Sequence, residues 1–128
     1  AWRLGAGSWS GETIATPATS PRAIAARARG GVHVVHGPSY SHRPAGGGWT
    51  AESAPTSYGN VVVDDSGEVF VSGVAAVFHR PLDATTWTSE PIDLAEGGYP
   101  WLAVGVGTVH AVYTAADGLR YARRMECP

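Results

Sequence analysis

The motif W-[ST]-x-E occurs three times in this chain, as Trp9-Ser10-Gly11-Glu12, Trp49-Thr50-Ala51-Glu52 and Trp87-Thr88-Ser89-Glu90. The tryptophans are 40 and 38 residues apart. Self-similarity at such a period means that one small supersecondary unit recurs, and that its copies must stack to bury a core. Other segments keep the same period. Tyr40-Ser41-His42-Arg43 and Phe78-His79-Arg80-Pro81 each place an aromatic residue nine positions before a Trp, and Leu119-Arg120-Tyr121-Ala122-Arg123-Arg124 is a third relative. Gly31-Val32-His33-Val34-Val35-His36, Glu68-Val69-Phe70-Val71-Ser72-Gly73 and Thr108-Val109-His110-Ala111-Val112-Tyr113 align in the same way. An apolar stretch precedes each of these, at 23–28, 61–63 and 101–106.

Each repeat thus holds four short runs separated by Gly, Asp, Ser or Pro. Runs of this length, rich in β-branched and aromatic residues, read as strands. No segment sustains a 3.6-residue period over three turns. Asp64-Asp65-Ser66-Gly67 reads as a hairpin turn, in which Asp caps the backbone and Gly supplies a positive φ. Four strands in about forty residues is the size of a propeller blade. The residues resemble bacterial β-propeller repeats, with an apolar strand, a D-x-x-G turn, a V-[HY]-V strand, a Y-x-x-R strand and a W-T-x-E strand. The stretch from Val61 to Val71 is similar to the first hairpin of NHL-type blades. Asp65-Ser66-Gly67-Glu68-Val69-Phe70 is similar to a degenerate Asp-box, with Val63 where a Ser or Thr would stand.

The expected fold is all-β, a β-propeller with three four-stranded blades per chain in the strand pattern 1+4+4+3. The units are a latch strand at 1–16, blades at 21–54 and 58–93, and a partial blade at 99–125. The Trp9 strand reads as the missing outer strand of the last blade. Three blades fall below the four to eight of closed propellers, and open edges are a liability. The expectation is therefore a homodimer that exchanges its N-terminal strand and forms one six-bladed ring, a closed two-fold arrangement. The rival is a fragment of a larger propeller, completed by another chain.

Composition narrows the function classes. Nine Arg and no Lys stand against eleven acids, with a net charge of −2 and no block of like charge, so neither a nucleic-acid nor an anionic-membrane partner is expected. No apolar run has the length of a membrane span. The single Cys127 has no cysteine partner for a disulfide or a zinc site. Ala1 is compatible with a cleaved end, which favours a secreted or periplasmic setting, but the compartment stays open. No catalytic motif stands out. Glu12, Glu52 and Glu90 are repeat-related and are expected to pair with Arg43, Arg80 or Arg124 rather than to act as a catalytic carboxylate pair. His33 and His110 share a repeat position with Phe70, which marks them as packed rings. His36, His42 and His79 show no metal-ligand spacing. No catalytic residue, metal or cofactor is assigned.

Aromatics that break the repeat are the candidate ligand-binding residues. Trp101 stands where other blades have small or β-branched residues, Tyr58 and Tyr99 precede first strands, and Trp2 lies in the N-terminal segment. With Arg22 and Arg120 they would suit a sugar ring and its hydroxyls. In size and latch the chain is similar to short oligomeric propeller lectins. The leading expectation is a non-catalytic, lectin-like module that binds a glycan or another small molecule between blades or on the disc face. The alternatives are an interaction scaffold or a propeller hydrolase or lyase acting on glycans.

Overall fold

Eleven short strands make up the regular structure of the described residues, and they fall into three antiparallel sheets. The computed structural model describes residues 8–14, 20–27, 31–44, 46–55, 60–73, 76–81, 83–92, 100–105, 108–115 and 118–124. The first sheet runs in chain order through β1 (Pro21–Arg27), β2 (Gly31–His36), β3 (Ser39–Arg43) and β4 (Thr50–Ser53). The second repeats this order with β5 (Val61–Val63), β6 (Val69–Gly73), β7 (Ala76–Arg80) and β8 (Thr88–Pro91). The third has three strands, β9 (Trp101–Gly105), β10 (Thr108–Ala115) and β11 (Gly118–Arg123). Neighbours in each sheet are neighbours in sequence, as meanders joined by tight turns require. Asp64 shapes one of these turns. Its Oδ1 accepts hydrogen bonds from the Ser66 amide at 2.9 Å, the Ser66 hydroxyl at 2.7 Å and the Glu68 amide at 3.0 Å. Gly67, at a φ of 92°, makes the positive turn that a Cβ would strain.

The first strands β1, β5 and β9 lie side by side, so the sheets radiate from them face against face. Two side chains fasten these inner strands. Arg27 Nε donates to the Val63 carbonyl at 3.0 Å. Asn60 acts as one more strand residue, its Nδ2 donating to the Leu102 carbonyl at 2.9 Å and its Oδ1 accepting from the Leu102 amide at 3.0 Å. The core has two layers. Val35 and Tyr40 of the first sheet pack on Val61, Val69 and Val71 of the second. The opposite face of the second sheet, with Phe70 and Val77, packs on Leu102, Val109 and Ala111 of the third.

The strand registers set the repeat equivalences. Val32 opposes Arg43, Val69 opposes Arg80, and the Arg124 amide bonds the Val109 carbonyl. Arg43, Arg80 and Arg124 are therefore equivalent, and so are Tyr40, Val77 and Tyr121. This corrects the alignment of Tyr40 with Phe78, which counts back from the tryptophans. The Trp lies six residues after Arg43 but seven after Arg80, so the loop rather than the strand absorbs the difference. The N-terminal segment stands apart from the sheets. Residues 8–14 pair in no sheet among the described residues, and Trp9 is fully exposed.

Candidate functional site

The expected pairing of the repeat acids with the third-strand arginines is present in all three instances, and it runs between repeats. Glu12 accepts from Arg43 Nη1 at 3.0 Å, Glu52 from Arg80 Nη1 at 2.7 Å, and Glu90 from Arg124 Nη2 at 3.2 Å. Each guanidinium also lies on rings. Arg43 is 5.3 Å from the Trp49 centroid. Arg80 is 4.7 Å from that of Trp87 and 5.2 Å from that of Tyr40, one sheet back. Arg124 is 5.4 Å from that of Phe70, also one sheet back. A fully formed clasp thus joins a Glu and a ring from one sheet to an Arg and a Trp from the next. Arg suits this role because its planar cation meets a carboxylate edge-on and a ring face-on. The Trp49 Nε1–H donates to Glu12 at 2.7 Å, and this bond, with the nearby Arg43 charge, holds the Glu12 carboxyl below its usual range.

Around the Arg80 clasp, the first and second sheets enclose a cleft of about 300 Å³. The first sheet contributes His33, Tyr40, His42, Thr50 and Glu52, with Pro44 at the rim. The second contributes Gly67, Val69 and Arg80, and its loop of Pro81, Asp83, Ala84 and Thr85 forms the far wall. That loop is pinned by a hydrogen bond from the Ala84 amide to the Pro81 carbonyl at 3.0 Å, with Asp83 in the left-handed region at a φ of 70°. Asp tolerates that conformation better than most side chains.

One wall is a stack of rings. His33 lies 5.9 Å from Tyr40, and Tyr40 lies 5.4 Å from His42, centroid to centroid and with nearly parallel planes. The Tyr40 hydroxyl and His33 Nδ1 are 2.6 Å apart. Burial pushes the Tyr40 phenol up to about 12, against the opposing pull of Arg80. Burial also lowers the proton affinity of His42, and Arg80 adds to this while Glu52 opposes it. His42 is then a neutral ring at pH 7, able to donate and accept hydrogen bonds. Glu52 is committed to Arg80 and is no ready general base. Among the described residues no group of three or more His, Cys, Asp or Glu is placed to hold a metal ion.

The described residues among those singled out in the sequence lie elsewhere. Trp101 is exposed at the start of β9, on the face of the third sheet that points away from the second. Arg22 is exposed on β1 and Arg120 on β11. Trp2, Tyr58 and Tyr99 lie outside the described residues. None of the described three lines the cleft. The cleft residues His42, Thr50, Glu52 and Arg80 all sit in repeat positions, so the sequence reads Glu52 and Arg80 as an ion pair and gives His42 no metal-ligand spacing. The one available signal was that His42 and Arg80 come from adjacent repeats and must face each other once the sheets stack.

No protein-family model and no curated protein matches the sequence. Among solved structures, streptogramin B lyase, itself a β-propeller, superposes with a TM-score of 0.62 at 16% identity. The fold is that of a β-propeller. The three sheets are its blades, and at this identity the likeness speaks for the fold alone. The match covers 86% of this chain and 42% of that one, so the chain spans less than half of that propeller's length.

Proposed function

We propose that the chain is a non-catalytic propeller module that binds a glycan in the cleft between its first two blades. The observation that carries this reading is the cleft itself. The part-exposed His42 ring, backed by the buried Tyr40 and His33, lies beside Thr50 and Glu52 on one wall, with Asp83 and Thr85 on the other. Sugars are held by such a mixture, a ring for C–H groups and planar polar groups for hydroxyls. The site is shifted from Trp101, Arg22 and Arg120 to the cleft. The lyase reading gains nothing from the structural likeness, which carries the fold alone.

The module works as an assembly in this proposal. Two copies form one six-bladed ring, within the range of closed propellers and with closed two-fold symmetry. Completion by another polypeptide is the competing reading, and the chain's coverage of less than half of the matched propeller favours some completion. A glycan array followed by titration calorimetry tests the binding. His42→Ala should weaken the selected glycan at least about tenfold, the loss of about one good polar contact, with the assembly mass unchanged. An array with no bound glycan, or full affinity in His42→Ala, would sink the cleft as a sugar site.

A further inference from the structure

Resting on that reading of a two-copy ring, we infer that its junction completes the third clasp, with Trp9 of one copy lying on Arg124 of the other. Two separate ends of the molecule point to it. Trp9 precedes Glu12 by three residues, as Trp49 precedes Glu52 and Trp87 precedes Glu90. Glu12 already docks on Arg43 as Glu52 docks on Arg80. Residues 8–14 therefore lie where the outer strand of a preceding blade would lie, yet Trp9 is fully exposed while Trp49 and Trp87 are covered by arginines. In the repeat, the arginine that covers such a Trp belongs to the third strand of the Trp's own blade. For Trp9 that strand is β11 of a second copy, and the arginine is its Arg124.

The exposed faces agree. On the third sheet Trp101, Val112 and Tyr121 sit directly across from one another and are 63%, 43% and 62% exposed. The equivalent residues of the first sheet are Ala23, Val35 and Tyr40, of which Val35 and Tyr40 are fully buried against the second sheet. The His110–Tyr121 pair, at 2.8 Å, repeats the His33–Tyr40 pair. At the other end, Ile24 is 69% exposed, while its equivalents Val61 and Leu102 are buried in the two blade interfaces. One open face has the residues of a blade's leading side, and the other those of a trailing side. A second copy brings the two together and sets Arg43 over the incoming Tyr121, as Arg80 lies over Tyr40. Docking residues 8–14 along β11 also covers its free edge.

Light scattering on a sizing column reads the mass of the wild-type chain and of Trp9→Ala and Tyr121→Asp. The expected result is about twice the 13.3 kDa chain mass for the wild type and a monomer, or at least about a tenfold weaker dimer, for each variant. Both positions are exposed in one copy, so circular dichroism should show the β-structure retained. For a readout independent of folding, Trp9 is replaced by p-benzoylphenylalanine in a mixture of light and nitrogen-15-labelled chains. Cross-links should join a light to a heavy chain and map to β11. A wild-type dimer that both variants leave intact, or cross-links confined to one chain, would overturn the junction but leave a two-copy ring standing. A monomeric wild type, or one that holds a different polypeptide instead, overturns both.

Discussion

His33, Val35 and Tyr40 on the first blade and His110, Val112 and Tyr121 on the third stand at the same repeat positions, yet their surroundings differ. The first set is buried under the second blade, and the second set faces outward. In the first blade the hydrogen-bonded His–Tyr pair and its valine are the composition of a blade interface, where a Val gains from leaving water. The difference teaches that in a repeat protein a side chain's role is set by its repeat position and by whether the neighbouring unit is present. The middle of the chain shows what the pattern does when neighbours are supplied on both sides, as they are for the second blade.

Removing the arginine of the best-formed clasp is the largest perturbation. The Arg80 side chain is almost fully buried, holds Glu52, and lies on both Tyr40 and Trp87. Arg80→Met leaves a part-buried carboxylate without its partner and should cost about 3 kcal/mol. Arg124→Met breaks a more exposed pair with Glu90, and should cost about 1 kcal/mol or less. Urea melts of both variants on the Trp9→Ala background read the two within a single copy. Equal losses would mean that the burial of the clasp does not set its strength.

The comparison sharpens with a single hydroxyl. Tyr40→Phe strands His33 Nδ1 in the buried stack and should cost about 1–2 kcal/mol. Tyr121→Phe removes the same bond where water can replace it, and should stay within about 0.5 kcal/mol in a single copy. In a sample concentrated enough to assemble, the Tyr121→Phe loss should grow toward the Tyr40→Phe value. Melting curves over a dilution series test this, and a concentration-independent Tyr121→Phe effect would place that face in water throughout.

Much of this fold is legible as period and pattern. The second and third W-[ST]-x-E motifs mark outer strands, D-D-S-G a turn, and the recurring Glu and Arg a pairing between neighbours, because each is local or set by the stacking of identical units. What the sequence hides is register and convergence. A one-residue difference in the loop before Trp87 shifts the apparent alignment of Tyr40 and Phe78, and only hydrogen-bond register reveals it. The cleft is hidden for another reason. His42, Glu52 and Arg80 meet across two blades, and their positions repeat, so only the stacking of adjacent repeats hints that they converge. Asn60, which ties β5 to β9 through the Leu102 backbone, carries no motif at all.

The smallest effects expected are those of pH, and they divide the same two regions. His42 has its proton affinity lowered in the folded cleft by burial and by Arg80, so the unfolded chain binds the proton more readily. The stability this brings is complete above about pH 6.5 and is lost as pH falls through the lower folded value. Glu90, between the second and third blades, is held below its ordinary value chiefly by hydrogen bonds from Arg124, with burial opposing and His79 adding to the lowering. Its contribution is complete above about pH 4.5 and is lost as pH falls through its own lower value. Acidification should therefore weaken the protein in two steps, the first from the cleft and the second from the clasp carboxylates, Glu90 on Arg124 and Glu12 on Arg43. Melting temperatures from about pH 8 to about pH 3 resolve them. His42→Asn should flatten only the upper step and Glu90→Gln only the lower. If His42→Asn leaves the upper step unchanged, the cleft histidine is not the group that the folded state keeps neutral.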